Sequence, residues 1–348
     1  MNSIGAKAPI VHPLKYGNFR INGFNNNSCF QDSRDDCLSS FIALREKLLT
    51  HGIELNTSDV NFGKEVVLEI HVDVQKDSQI EAPIFLLQYE TELVNLLNVN
   101  LDSNLHLYEA VFTWNDSAVK TKKYLKFHLP VHRPELAEGK EFIQRSGFCC
   151  AISANKAIRY AHESEMYSKR VDTYLWFENH SPEDFDLYGV GWENPPVNPG
   201  TIGRVISKFY EFLPAKFGIF KRCYKGKVAA KSDVFGDYKF SICYENFVGL
   251  DGYISEKIFD SMFSGCVPVY WGAKNIGEYV PSDCFIDRRD FKDEATLYEF
   301  LKSVDVSKFN NYQQAIITFL DSDSAKKFYK ENYVDTISSV ILNRLSGQ

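Results

Sequence analysis

The stretch from Tyr238 to Gly272 (YKFSICYENFVGLDGYISEKIFDSMFSGCVPVYWG) restricts the fold more than any other part of this chain. Lys239–Tyr244 has the apolar run of a buried strand and stops abruptly at Glu245-Asn246. A loop with Gly249 and Gly252 follows, and Ser255 then stands as an N-cap residue. Ile258, Phe259, Met262 and Phe263 form one apolar helical face, with Gly265 just past the helix end. Val267–Trp271 reads as the next strand. A strand, loop, helix and strand within about 35 residues is the size of a parallel crossover unit. Parallel strands require helices on both faces of their sheet, so the segment predicts an open α/β sheet.

The same alternation occurs in the N-terminal half. Leu38, Phe41, Ile42, Leu48 and Leu49 recur at helical spacing, with Gly52 as a stop. Val66–Val72, Ile84–Tyr89 and Glu109–Trp114 read as strands, and Tyr124–Leu129 as a short fourth. The first thirty or so residues are polar and show no clear pattern. A length of 348 residues at roughly 150 per domain predicts two domains. Pro130–Lys140 interrupts the pattern and places the boundary, giving residues 1–135 and 136–348. In the second half, an α/β segment starts at Phe148–Ser153, Pro182–Gly200 reads as an irregular loop and Ile202–Phe212 as a helix. Tyr333–Leu345 reads as an amphipathic helix that packs across the two domains or touches a membrane.

Composition narrows the function. A net charge of −7 argues against a broad nucleic-acid or anionic-membrane surface. No apolar run approaches the roughly 20 residues of a membrane span. Met1–Pro13 lacks the pattern of a secretory signal, and the eight cysteines form no CxxC pair, which together predict a cytoplasmic protein with buried free thiols. Metal-binding patterns are weak. Asp184-Phe185-Asp186 and Asp321-Ser322-Asp323 match DxD, but neither follows an apolar strand, and Pro130 separates His128 from His132. Gly189-Val190-Gly191 begins like a dinucleotide loop, yet Asn194 stands where its third glycine belongs. Lys216, Lys221, Arg222, Lys225, Lys227 and Lys231 form a basic run, a solvated face or an attractor of anions.

Ligands in open α/β sheets bind beyond the carboxyl ends of strands, often against a helix N-terminus. Glu245, Asn246, Tyr253, Glu256 and Lys257 all fall there. A lysine in the first helical turn opposes the helix dipole. Two readings account for Lys257: an anion such as a diphosphate sits between its ammonium and the helix N–H groups, or the lysine pairs with a nearby acid.

Three linked motifs carry a family resemblance: Tyr244-Glu245-Asn246, Tyr253-Ile254-Ser255-Glu256-Lys257 and Pro268-Val269-Tyr270-Trp271-Gly272. In this order and at about this spacing they resemble the donor-binding signature of the α-1,3-fucosyltransferases, glycosyltransferase family ten, and Pro281–Phe291 resembles its continuation. Ser153-Ala154-Asn155 with Arg159 resembles the family's Ser-Asn…Arg element, and Tyr89–Glu92 with Asn95 and Glu109–Asn115 resembles the region of its catalytic glutamate.

The resemblance implies the GT-B architecture, two Rossmann-like domains facing a central cleft. It implies inverting transfer of L-fucose from GDP-fucose to a glycan hydroxyl, with an α-1,3-type linkage and no metal required. Glu90 is the implied base, with Glu92 as the alternative. Arg159 and Lys257 are the implied grip on the diphosphate, and Glu256 the acceptor of ribose hydrogen bonds. Glu245, Asn246 and Tyr253 would shape the pocket around the fucose and neighbouring phosphate. The implied partners are the nucleotide sugar and an oligosaccharide or lipid-linked acceptor, with at most peripheral membrane contact, in surface polysaccharide or lipopolysaccharide synthesis. Two alternatives stay open: another nucleotide-activated sugar, and a catalytically silent sugar- or nucleotide-binding module.

Overall fold

The computed structural model describes residues 15–76, 81–119, 121–134, 140–200, 203, 205–206, 209–210 and 217–347. Of the helix expected at Ile202–Phe212, the described residues 203, 205–206 and 209–210 are helical, and its other residues, with part of the boundary expected at Pro130–Lys140, lie outside the described residues. The chain divides into two compact units, Met1–His132 with Tyr329–Gln348, and Arg133–Phe328.

The first unit holds a parallel sheet of six described strands in the order β2-β1-β3-β4-β5-β6. They are β1 (Lys15–Arg20), β2 (Ile53–Thr57), β3 (Val66–Val72), β4 (Ile84–Gln88), β5 (Ala110–Thr113) and β6 (Tyr124–Lys126). Helix α1 (Ser39–Thr50) connects β1 to β2 and buries Phe41, Leu44 and Leu48. The chain steps outward from β1 to β2, then returns to the other side of β1 for β3. This reversal makes the carboxyl ends of β1 and β3 the switch point of the sheet.

The second unit holds a parallel sheet in the order β12-β11-β10-β7-β8-β9. Its strands are β7 (Gly147–Ile152), β8 (Phe185–Tyr188), β9 (Tyr224–Gly226), β10 (Tyr238–Tyr244), β11 (Val267–Trp271) and β12 (Ile286–Asp287). Its described helices are α2 (Tyr167–His180), α3 (Ser232–Phe235), α4 (Glu256–Phe263), α5 (Glu294–Ser303), α6 (Val306–Leu320) and α7 (Asp323–Lys326). Here the chain reverses between β7 and β10, whose carboxyl ends form the switch point. β10 and β11 run in register to their last residues, Tyr244 opposite Trp271.

The last helix, α8 (Lys330–Ser346), groups with the first unit. The sequence reading assigns it to the second domain, as a tail that packs across both or touches a membrane. Its apolar face of Tyr333, Val334, Ile337 and Ile341 is buried, and Tyr333 packs edge-on against Tyr89 and, tilted, against Phe127. None of the eight cysteines is in a disulfide, and all but Cys37 are buried.

Candidate active site

The crossover read from sequence forms as expected, and it ends in a compact charge cluster. β10 stops at Tyr244, and the next residue, Glu245, has no exposed surface. The Glu245 backbone N–H donates to the Trp271 carbonyl at 2.8 Å, which ties the loop to the end of β11. Its carboxylate accepts from the Ser255 N–H at 2.8 Å, the Ser255 hydroxyl at 2.6 Å and the Lys257 ammonium at 3.3 Å. Ser255 caps α4 in extended backbone, its oxygen accepting from the Lys257 N–H at 3.5 Å and the Lys257 ammonium at 3.0 Å. Such a cap contributes about 1 kcal/mol. Gly265, at φ +65°, closes the helix where the sequence placed it.

The structure therefore pairs Lys257 with an acid of its own chain, the second of the two readings. Glu245 supplies the anion that a lysine in a first helical turn calls for, and Glu256 adds a carboxylate at 4.0 Å. Burial disfavours the Lys257 ammonium, but Glu256 and Glu245 outweigh it and hold its pKa above the ordinary lysine value. The side chain keeps 26% of its surface exposed. Glu256 is half-buried. Burial raises its carboxyl, but Lys257 and Lys231 together hold it far below the usual range.

The other signature residues pack rather than line open space. Tyr253 is buried and meets Phe247 edge-on at 6.4 Å. The Asn246 side-chain oxygen accepts from Arg170 at 2.9 Å, and its carbonyl accepts from the Met166 N–H at 3.0 Å. Gly272 leaves no room for a side chain: a Cβ there would lie 2.4 Å from Glu245 Cγ and 2.5 Å from the Tyr270 hydroxyl oxygen. The glycine of the Pro-Val-x-x-Gly motif is thus needed by the buried glutamate 27 positions earlier.

At the carboxyl end of β7, Asn155 donates to the carbonyls of Gly191 at 3.0 Å and Pro195 at 2.9 Å and accepts from the Val197 N–H at 2.8 Å. This fixes the loop that carries Arg159, which is exposed and lies 5.5 Å from the Tyr160 ring centre. Arg159 and the Glu245–Lys257 group therefore follow the two strands that flank the switch point of the second unit.

Glu90 belongs to the first unit and follows β4 directly. Its backbone is clamped. Asp73 Oδ1 accepts from the N–H groups of Tyr89 and Glu90, both at 2.9 Å, and from Asn98 at 3.1 Å, while Asn98 also donates to the Glu90 carbonyl at 2.9 Å. Trp114 Nε1 donates to the Tyr89 carbonyl at 3.0 Å. Asp73 adopts the left-handed conformation at φ +58°, a strained backbone that Asp tolerates better than most residues. Glu92 is exposed in the turn that follows.

Arg170 in the second unit and Asp73 and Asn98 in the first escaped the sequence reading, and Lys231 was read only as one member of a basic run. Arg170 was legible only as one polar position on a helix; its partners, the Tyr244 carbonyl at 2.7 Å and Asn246, lie over seventy residues away. The two DxD stretches are engaged elsewhere. Asp184 accepts from the Tyr298 hydroxyl at 2.6 Å, Asp186 from Tyr238, and Asp321 pairs with Arg133 at 2.6 Å. Among the described residues, no group of three His, Cys, Asp or Glu could hold a metal ion.

Residues 204–316 match the family model described as glycosyltransferase family 10 (fucosyltransferase), C-terminal part. Over 105 residues the chain is 29% identical to the α-(1,3)-fucosyltransferase FucT of Helicobacter pylori, covering 30% of this chain and 22% of that protein. Over 69 residues it is 39% identical to 4-galactosyl-N-acetylglucosaminide 3-α-L-fucosyltransferase 9 of Mus musculus, covering 19% of each. The matches thus span about a fifth of the length of these relatives.

The fold is similar to that of an α1,3-fucosyltransferase crystallised with GDP, at 13% identity and a TM-score of 0.56 over 97% of this chain and 94% of that one. It is equally similar to Alr3699/HepE of Anabaena in complex with UDP and glucose, at 11% identity and a TM-score of 0.57 over 94% and 99%. At such identities the likeness is one of fold: two Rossmann-like domains built on parallel sheets, as in GT-B glycosyltransferases. The segment 204–316, which contains the whole Glu245–Ser255–Lys257 arrangement, is the part of this chain that is similar to glycosyltransferase family 10, the fucosyltransferases.

Proposed function

We propose that this protein is an inverting fucosyltransferase that moves L-fucose from GDP-fucose to a hydroxyl of a glycan acceptor, forming an α-1,3-type linkage. The observation that carries the reading is Lys257: a partly exposed lysine, kept charged by two carboxylates, at the start of a helix beyond the switch-point strands. The names of the relatives from Helicobacter pylori and Mus musculus support the donor sugar and the linkage.

In this reading the acceptor hydroxyl attacks C1 of fucose while GDP departs from the opposite face. The carboxylate of Glu90 takes the hydroxyl proton, a contribution of about 10²–10⁴-fold. Asp73 and Asn98 hold the Glu90 backbone, which limits the reorganisation needed at that moment. The diphosphate gains negative charge as the bond breaks. Lys257 and Arg159 hold that charge with the N–H groups of α4, and this positive set is our reason for proposing that no metal is required. Glu256 receives the ribose hydroxyls.

In this reading Glu245, which is enclosed, sets Ser255 and Lys257 rather than touching the sugar, and Asn246 and Tyr253 shape the loop around them. The acceptor we propose is an oligosaccharide or lipid-linked glycan of surface polysaccharide or lipopolysaccharide synthesis on the cytoplasmic side. Among the described residues, no helix is long and apolar enough to cross a membrane.

Thermal stabilisation by GDP, UDP and CDP tests the donor assignment. The reading expects a rise in Tm with GDP that exceeds the other two and is lost in Lys257→Ala. An equal response to all three nucleotides would replace fucose with another activated sugar.

A further inference from the structure

Lys231 stands outside the signature motifs, immediately before α3. Its ammonium lies 2.6 Å from Asp260 Oδ2 and 3.5 Å from Glu256 Oε1. Glu256 and Asp260 are four positions apart on α4, on one face of the helix, so a single cation from the preceding segment holds both. Charges then alternate along the site: Asp260, Lys231, Glu256, Lys257, Glu245. Of the two cations beside Glu256, Lys257 also serves the helix cap and Glu245. Any anion that draws the Lys257 ammonium toward itself leaves Glu256 with Lys231.

We infer that Lys231 is a positioning residue for the donor nucleotide. It keeps the Glu256 carboxylate aimed while Lys257 engages the diphosphate, and so it sets affinity for the ribose hydroxyls. The inference rests on the ribose role given to Glu256 above. Without Lys231, a Lys257 ammonium engaged by the diphosphate leaves the Glu256 carboxylate without a nearby cation to aim it, among the described residues. The diphosphate contact is then kept and the ribose contact weakened. With Lys231 in place, both are made at once.

Calorimetric binding of GDP and of 2′,3′-dideoxy-GDP to the full chain separates the possibilities. The wild type is expected to prefer GDP by about tenfold or more, the value of hydrogen bonds to a charged group. Lys231→Met and Lys231→Gln should cut that preference several-fold, with the Kd of dideoxy-GDP staying within about twofold, as for a site the change does not touch. Lys231→Arg should restore the preference. Equal weakening of both nucleotides in Lys231→Met and Lys231→Gln would make Lys231 a general electrostatic or structural residue and overturn the inference. A preference that survives in those variants but is erased in Glu256→Gln would overturn it too, while leaving the ribose role of Glu256 intact. A full preference in Glu256→Gln would remove the ribose role itself, and the inference with it.

Discussion

The buried carboxylate of Glu245 lies 3.3 Å from the Lys257 ammonium, and the Ser255 hydroxyl donates to the same carboxylate oxygen at 2.6 Å. One anion thus joins the end of β10 to the start of α4. Removing it in Glu245→Ala leaves the Ser255 N–H without its partner and the half-buried Lys257 ammonium without the nearer of its two carboxylates. The expected loss is about 2–4 kcal/mol in urea unfolding, since breaking a buried ion pair strands its other member. GDP affinity should fall as well, because Lys257 loses its orientation. Wild-type stability in Glu245→Ala would show that this anion is dispensable.

Gly272 tests the same junction from the other side. In Gly272→Ala the new methyl meets Glu245 Cγ and the Tyr270 hydroxyl, both rooted in the packed sheet. The forced shift is expected to destabilise the chain by about 1–3 kcal/mol, the range for overpacking. Urea unfolding checks the stability, and a weakened GDP titration would show that the displaced carboxylate matters to the nucleotide.

Glu90→Gln should lower turnover by about 10²–10⁴-fold while leaving GDP affinity unchanged, since a proton acceptor acts on the chemical step. Glu92→Gln, in the exposed turn, should behave like the wild type. Asp73→Ala frees the N–H groups of Tyr89 and Glu90 and should reduce kcat more than KM. Steady-state kinetics on the three variants decides between the two glutamates, and a silent Glu90→Gln would give the role to another residue.

Acid should expose the contribution of Glu256. Its folded carboxyl is held below the ordinary 4.5 by Lys257 and Lys231. A depressed carboxyl stabilises the fold above its unfolded pKa, and that stabilisation is lost as pH falls toward the folded value. Glu256→Gln should therefore be less stable than the wild type at neutral pH, and the gap should close as pH falls below about 4.5. Thermal melts of both proteins across pH 7 to 3 measure it; a gap that ignores pH would separate Glu256 from its two lysines.

The crossover at 238–272 was legible because each part carries a local signal: an apolar strand, an N-cap serine, an amphipathic face and a C-terminal glycine. Helix α2 was not. Its inward face places Arg170, Thr173 and Glu178 among Tyr174 and Phe177, which breaks the apolar period. Those polar groups are satisfied by distant partners. Glu178 accepts the N–H groups of Lys221, Arg222 and Cys223, and Thr173 donates to Glu294 at 3.1 Å.

Strand β1 was hidden for a related reason: it buries Asn18, whose side-chain oxygen accepts from Asn61 at 3.0 Å, where a parallel strand normally carries an apolar residue. β8 was read as part of a loop because Pro182 and two aspartates surround Phe185. The positions of Lys257 and Glu90 after their strands could be read from local pattern. The partners that fix them, Glu245 across the loop and Asp73 from the neighbouring strand, depend on the fold.

Incubation of the full chain with GDP-fucose and a panel of galactose- and N-acetylglucosamine-containing oligosaccharides tests the central claim most directly. GDP release and the linkage of the product are the quantities to follow. The account predicts GDP release that depends on the acceptor and yields a fucosylated product of inverted anomeric configuration, with both lost in Glu90→Gln and in Lys257→Ala. Turnover that survives in either variant at the wild-type rate, or a product of retained configuration, would contradict it.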